Sequence, residues 1–115
     1  MVQEQTGYVD VQDSITDTVK QSIIENLRNV YDPEISINIY DLGLIYDINI
    51  ESTLCTVTMS LTSAFCPAAD MIIEDVRHAV LAVSTIEDVR VDVTFEPQWG
   101  PDMMSEDARL ILGIF

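Results

Sequence analysis

The sequence predicts an α+β fold, with a small mixed sheet of about three strands and helices on one face of it. Three segments alternate apolar and polar residues, and three others repeat apolar residues at helical spacing. Their order along the chain is helix, strand, strand, helix, strand, helix. With 115 residues, 48% of them hydrophobic and 22% charged, the chain is typical of one globular domain.

The first helix should follow a short acidic segment. Residues 1–13 are polar and without periodicity, so we expect a flexible tail ahead of a single domain over residues 14–115. Ser14 is a weak candidate N-cap, and the apolar stripe after it consists of Ile15, Val19, Ile23, Leu27 and Val30. We expect this helix to end at Asp32 and Pro33, because the residue before a proline disfavours helical backbone angles.

The first two strands are predicted to form a hairpin that turns at Ser52 and Thr53. Their side chains alternate between two faces of the sheet, so every second residue should be buried. The predicted buried residues are Leu44, Tyr46, Ile48 and Ile50 in the first strand, and Cys55, Val57, Met59 and Leu61 in the second.

The second half of the chain is predicted to form a helix, a third strand and a short last helix. Pro67 suits the first position of a helix, which makes Cys66 its predicted N-cap, and the apolar stripe is Ile72, Val76, Ala79, Val80 and Val83. The third strand should then bury Val89, Val91, Val93 and Phe95. Ser105 is expected to cap a short last helix that ends at Gly113.

The two cysteines are predicted to differ in reactivity. At a helix N-terminus, Cys66 would lie beside unpaired N–H groups and the positive end of the helix dipole, which favours a thiolate. A buried small hydrophobic residue at the loop-helix junction is the alternative for Cys66. Cys55 belongs to the apolar face of a strand. Two cysteines are too few for a disulfide framework or a self-sufficient zinc or cluster site.

No constellation of catalytic residues stands out, so we expect no enzymatic activity. His78 lies about 18 Å from Cys66 at about 1.5 Å per helical residue, which excludes a Cys–His pair. It should instead pair with Glu74 on an exposed helix face. The acidic residues Asp32, Glu34 and Asp41 surround one loop and could form an acid–base pair, but turn and surface positions explain them better in a chain with twenty acidic residues.

The charge of the chain excludes several classes of partner. Twenty acidic residues against five basic ones give a formal net charge of -15. This charge repels phosphate backbones and anionic membranes, so we expect no binding to nucleic acid or membranes. The sequence has no apolar run of about 18 residues and no signal-like start, and we expect a cytoplasmic protein.

Three segments resemble the family of small metal-sulfur cluster assembly proteins that includes SufT and PaaD. They are YDPEISINIYDLGLIYDINI (31–50), VTMSLTSAFCPAADMI (57–72) and VDVTFEPQWGPDMMSEDARLILGI (91–114). The resemblance implies an α+β domain that assists the maturation of iron-sulfur proteins. It also implies that Cys66, in a loop beginning with Thr62 and Ser63, is a reactive residue or metal ligand.

Further family elements match Asp32-Pro33-Glu34, Asp41-Leu42-Gly43 and Met104-Ser105-Glu106. The chain departs from the family in two loops. Ala64 and Phe65 replace a Pro-Gly pair, and residues 95–99 replace a Trp-x-Pro-Pro-Trp segment. These changes affect loop rigidity and the choice of partner more than the role of the cysteine.

The resemblance implies an accessory factor in iron-sulfur cluster assembly or delivery. One cysteine cannot supply the roughly four ligands of a cluster, so a transient cluster or iron would be shared with a partner. Assembly proteins, apo client proteins or a second copy of the chain are the expected partners. Trp99, Met103 and Met104 either form a partner-binding surface or close the core. The alternatives are a PaaD-like subunit of an aromatic-degradation oxygenase system, and a structural adaptor in which Cys66 is dispensable.

Overall fold

The computed structural model describes residues 11–63 and 67–113, and the predicted order of elements and the α+β class are confirmed. Helices and strands follow one another in the order that the sequence patterns indicate, with one additional 3-10 turn before the last helix. The elements are α1 (Val11–Leu27), β1 (Ile45–Glu51), β2 (Leu54–Met59), α2 (Ala69–Leu81), β3 (Asp88–Val93), the 3-10 turn Pro101–Met103, and α3 (Glu106–Leu112).

The sheet has the order β1-β2-β3. β1 and β2 are antiparallel and form the predicted hairpin, with Ser52 in the left-handed region at φ 57°. β3 runs parallel to β2, because α2 crosses over the sheet between them. Register between β1 and β2 shifts once, between Ile45 and Asp47. The sheet is therefore mixed, as predicted.

The core lies between the helices and one face of the sheet. Every second residue of β2, Cys55, Val57 and Met59, is fully buried, as the alternation predicts. The side chain of Asn26 joins α1 to α2 by donating to the carbonyl oxygen of Ala79 at 3.0 Å. Other large buried side chains come from α1, from the segment before β1 and from α2: Ile23, Leu27, Ile39, Leu42, Leu44, Ile72, Val76 and Val80.

The first helix differs from its prediction at both ends. It already includes Val11, three residues before the predicted cap Ser14, so the last part of the predicted tail is helical. Residues 1–10 of that tail lie outside the described residues. The helix ends at Leu27, and not at Asp32, because the amide of Val30 donates to the Leu27 carbonyl in a tighter i to i−3 bond.

The second helix begins later than predicted. Its N-cap is Ala68, and the first helical bond joins the amide of Ile72 to the Ala68 carbonyl at 3.0 Å. The prediction that Cys66 caps this helix is therefore wrong. Ala68 has φ −95° and ψ 9°, a turn conformation that separates Pro67 from the helix. Cys66 itself lies outside the described residues.

The third strand buries less than its alternation predicts. Val89 is buried at 4% exposure, but Val93 is 36% exposed and Phe95 is 40% exposed. In the part of the chain that the structure describes, β3 is an edge strand with a partner on one side only, and α2 packs close to its beginning, where Arg77 contacts Val89. Burial therefore falls along the strand, and the prediction that Val93 and Phe95 are buried is wrong.

Candidate functional site

Two of the loops singled out in the sequence pack directly against each other. The indole Nε1–H of Trp99 donates to the carbonyl oxygen of Leu42 at 2.7 Å. The amide of Ser105 donates to the carbonyl oxygen of Asp41 at 2.8 Å. Residues 97–105 are thus fastened at both ends to the turn that precedes β1. We call residues 41–43 and 97–105 together the docked loops.

Gly43 makes the closest approach between the docked loops. Its φ is +80°, in the left-handed region where glycine alone is unstrained, as expected for a turn that enters a strand. A Cβ atom built on Gly43 would overlap the carbonyl oxygen of Met103. The Met103 backbone therefore occupies the space that any other residue at position 43 would need for its side chain.

Tyr46 adds a contact that the sequence analysis did not assign to the site. Its hydroxyl donates to the carbonyl oxygen of Pro97 at 2.8 Å and lies 3.6 Å from the sulfur of Met103. The predicted strand alternation placed Tyr46 among the buried residues, but the phenol is half-buried and reaches the loop with its polar end. The sequence carried no signal for this contact, because the two partners lie far apart along the chain.

The three apolar loop residues divide between surface and core. Met104 is 4% exposed and belongs to the hydrophobic core. Trp99 and Met103 are half-buried, so each presents part of its side chain to solvent. Ser105 caps α3 as predicted, since its hydroxyl accepts from the amide of Ala108 at 3.1 Å.

Asp41 is held within its own turn. Its carboxylate accepts from the side-chain amide of Asn38 at 2.8 Å, and its backbone N–H donates to the side-chain oxygen of Asn38 at 2.8 Å. This reciprocal pair shapes the chain just before Gly43. The Asp41 side chain therefore has a clear structural partner.

Asp32 has a similar local role in a different turn. It is 1% exposed, and one carboxylate oxygen accepts from the amides of Glu34 (2.8 Å) and Ile35 (3.3 Å). Glu34 itself is exposed. The described hydrogen bonds of Asp32 all stay within residues 32–37, and none joins its carboxylate to Asp41. These contacts give no support to the acid–base pair considered from the sequence.

A groove lies between the docked loops and the loop that begins with Thr62 and Ser63. It has a volume of about 280 Å³, and Trp99 forms part of its wall. Thr62 and Ser63 line it as well, at the point where the chain continues toward Cys66. The other lining residues are Leu61, Phe95, Glu96 and Gln98. Trp99 thus contacts the turn before β1 on one side and lines the groove of the Thr62–Ser63 loop on the other.

The other titratable candidates lie apart from this groove. Cys55 is fully buried, and burial raises the pKa of its thiol from 9.0 to about 11, while Lys20 lowers it in part. This thiol is inert at neutral pH. His78 is 73% exposed and pairs with Glu74 at 3.5 Å, as predicted. Among residues 11–63 and 67–113, no group of three or more His, Cys, Asp or Glu side chains is arranged to hold a metal ion.

Known proteins resemble the chain over most of its length. A family described as "Iron-sulfur cluster assembly protein" matches residues 20–93. An "Fe-S protein maturation auxiliary factor" from Porphyromonas gingivalis is 55% identical over 95 residues, which cover 82% of this chain and 90% of that protein. The "Fe-S protein maturation auxiliary factor SufT" from Staphylococcus aureus is 41% identical over 86 residues, covering 74% and 98%. The crystal structure of a domain of unknown function from Bacillus anthracis superposes with a TM-score of 0.80 at 34% identity, covering 86% and 95%.

Proposed function

The chain belongs to the family of iron-sulfur cluster assembly proteins, and we propose that it is a non-enzymatic accessory factor in the assembly of iron-sulfur clusters or their delivery to client proteins. Two similar proteins carry the name of Fe-S protein maturation auxiliary factors, and each is covered over nine-tenths or more of its length. The similarity therefore extends to whole proteins of this kind.

The observation that carries the proposal is the meeting of three loops around Trp99. This side chain lies against the Leu42 carbonyl and lines the groove that Thr62 and Ser63 also line. The chain that leaves Ser63 reaches Cys66 three residues later. We infer that Cys66 is the ligand that contacts iron or a cluster at this end of the molecule, with the docked loops and the groove as the surface that meets the partner.

The bound iron or iron-sulfur cluster would be shared between two protein molecules. A cluster takes about four ligands, and Cys66 supplies one. Cys55 is buried with its pKa raised to about 11, so it cannot supply a second thiolate at neutral pH without unfolding. The remaining ligands would come from an assembly protein, an apo client protein or a second copy of the chain.

The arrangement of acidic and basic groups favours binding over catalysis. Asp32 and Asp41 each accept hydrogen bonds inside separate turns. His78 lies on the exposed face of α2 with Glu74. The carboxylates that could act as acid and base are thus occupied as structural acceptors, which supports a non-enzymatic role.

The role of Cys66 can be tested in cells that carry a variant as the only copy of the protein. We expect Cys66→Ala to remain folded by circular dichroism but to lower the activity of iron-sulfur enzymes severalfold. Cys55→Val is the matched control, since it removes the other thiol and keeps an apolar side chain in the core. Full enzyme activity with a folded Cys66→Ala protein would contradict the proposal and favour a structural adaptor.

The chemistry can be tested separately on the purified protein. We expect Cys66 to alkylate much faster than Cys55 in the native state, because Cys55 is buried. Anaerobic incubation with iron and sulfide, in the presence of a partner that supplies the other ligands, should give visible absorption with wild-type protein and not with Cys66→Ala. Equal absorption from both proteins would exclude Cys66 as a ligand.

A further inference from the structure

Backbone hydrogen bonds alternate along β3. In a strand, the N–H and C=O groups of every second residue point to the same side. The amides of Asp88 and Thr94 donate to carbonyl oxygens on the β2 side, at Thr53 (3.3 Å) and Met59 (2.8 Å). The even-numbered residues of β3 therefore pair with β2, and the odd-numbered residues direct their backbone groups to the outer edge of the sheet.

The outer edge of β3 is closed at its beginning and open after it. The amide of Val89 donates to the carboxylate of Asp88 at 2.9 Å, and its carbonyl oxygen accepts from the guanidinium of Arg77 at 2.7 Å. Within residues 11–63 and 67–113, no hydrogen bond reaches the outward N–H and C=O groups of Val91 and Val93. These four backbone groups are what an added strand would pair with.

Apolar side chains flank the open part of the edge. Val93 is 36% exposed, and Phe95 two residues later is 40% exposed. Ile73 of α2 lies one helical turn before Arg77 and is half-buried. An added strand would therefore find apolar surface on the side of the sheet that the helices cover.

The charge around the edge is negative. Asp70 shares the helix face of Arg77, because residues seven apart lie on the same side, and both Asp70 and Glu96 are exposed. Of the nearby cations, Arg90 pairs with Asp92 at 2.9 Å, whereas Arg77 donates to the uncharged Val89 carbonyl and keeps its positive charge. The carboxylates of Asp70, Asp88 and Glu96 outnumber this single charge. A second copy of the chain would bring a further formal charge of -15, which disfavours it as the occupant of this edge. A basic segment would be attracted.

We propose that the outer edge of β3 binds an extended basic segment of a client protein by strand addition. The added strand would form backbone hydrogen bonds with Val91 and Val93 and place apolar side chains against Val93 and Phe95. That the occupant is a client rests on the function proposed above. The mode of binding rests on the edge, its apolar side chains and its charge.

A short peptide of alternating lysine and valine is a direct probe of this edge. In a titration followed by NMR, we expect the amides of Val91 and Val93 to shift and their hydrogen exchange to slow. A peptide with glutamate in place of lysine should bind at least about tenfold more weakly. Equal binding of the two peptides, or shifts confined to other parts of the sheet, would overturn the proposal.

Variants separate backbone pairing from side-chain contact. Val93→Pro removes one outward N–H and keeps the bonds to β2, a place where a strand tolerates proline. It should weaken binding of the lysine peptide about tenfold, whereas Val93→Thr, which keeps the amide, should weaken it less than about threefold. If Val93→Pro fails to fold, backbone pairing can be tested on the wild-type chain with a lysine peptide that is N-methylated at alternate residues and therefore lacks those backbone donors. Undiminished binding of that peptide would overturn strand addition.

The two proposals can fail separately. Loss of iron-sulfur enzyme activity in cells carrying only Val93→Pro, with Cys66 intact, would support the edge as a client site. Full enzyme activity with that variant would overturn it. Unchanged activity with Cys66→Ala, together with intact peptide binding at the edge, would reject the proposed role of the cysteine and leave strand addition standing.

Discussion

At the scale of single residues, Gly43 shows which part of the site the sequence could predict. An Asp-Leu-Gly turn before a strand predicts a positive φ, and the structure confirms it at +80°. The close approach of the Met103 carbonyl was not predictable, because Met103 lies far along the chain and no local pattern links the two positions.

Gly43→Ala should therefore destabilise the protein through two separate effects. Gly113→Ala is the matched control, since Gly113 has φ +75° and no heavy atom near the place of an added Cβ. We expect about 1 kcal/mol of lost stability at Gly113, from the backbone conformation alone. The overlap with Met103 should raise the loss at Gly43 to about 2 to 4 kcal/mol. Urea unfolding measures both, and equal losses would show that the docked loops adjust freely.

Cys55 should make the stability depend on alkaline pH. Burial raises its pKa from 9.0 to about 11, so the folded protein retains the thiol proton where the unfolded chain loses it. The free energy of unfolding should then fall as the pH rises from 9 toward 11, by up to about 2 to 3 kcal/mol for a shift of this size. Cys55→Val lacks this titration. A similar decline in both proteins would show that other groups cause it.

At the scale of elements, local patterns predicted the type of each helix and strand better than its ends. The alternation in β2 is confirmed residue by residue, because one face of that central strand is buried and the other is not. The predicted start of α2 is too early, because proline is favoured in the first turn of a helix and Pro67 is therefore expected there. In the structure, Ala68 forms a turn between Pro67 and the helix. The exposure of Val93 depends on how much of β3 is covered by α2, and this packing between distant elements is not visible in the local sequence pattern.

The cap of α3 gives a prediction at this scale. Ser105→Ala removes the acceptor of the Ala108 amide and should lower stability by about 1 kcal/mol. Ser105→Asp keeps an acceptor at the same place and should retain most of the stability. Thermal unfolding followed by circular dichroism compares the three proteins. If Ser105→Asp loses as much stability as Ser105→Ala, the side-chain acceptor for the Ala108 amide is not the cause of the loss.

At the scale of the whole molecule, negative charge dominates. The formal net charge is -15, and no helix in the described ranges has the length and apolar character needed to cross a membrane. Like charges at this density repel one another in the compact state more than in the unfolded chain. The five cations leave most carboxylates without an ionic partner.

Salt should therefore stabilise the protein. Raising sodium chloride from about 0.01 M to about 0.15 M shortens the screening length from about 30 Å to about 8 Å, which weakens the repulsion. We expect the Tm to rise by several degrees over this range and to level off beyond it. Potassium chloride at the same ionic strength should have the same effect. A Tm that is independent of salt would show that charge repulsion does not limit the stability of the folded protein.

The docked loops also bear on the order in which the protein is built. Trp99 binds a carbonyl group 57 residues earlier in the chain, and Tyr46 donates to one 51 residues later. During synthesis, α1 and the hairpin leave the ribosome well before the partners that complete this surface exist. A nascent chain thus has most of its sheet before it has a finished surface for a partner. We expect partner binding at this surface to wait until residues 97–105 have been synthesised, because Trp99 and the carbonyl group of Pro97 complete it.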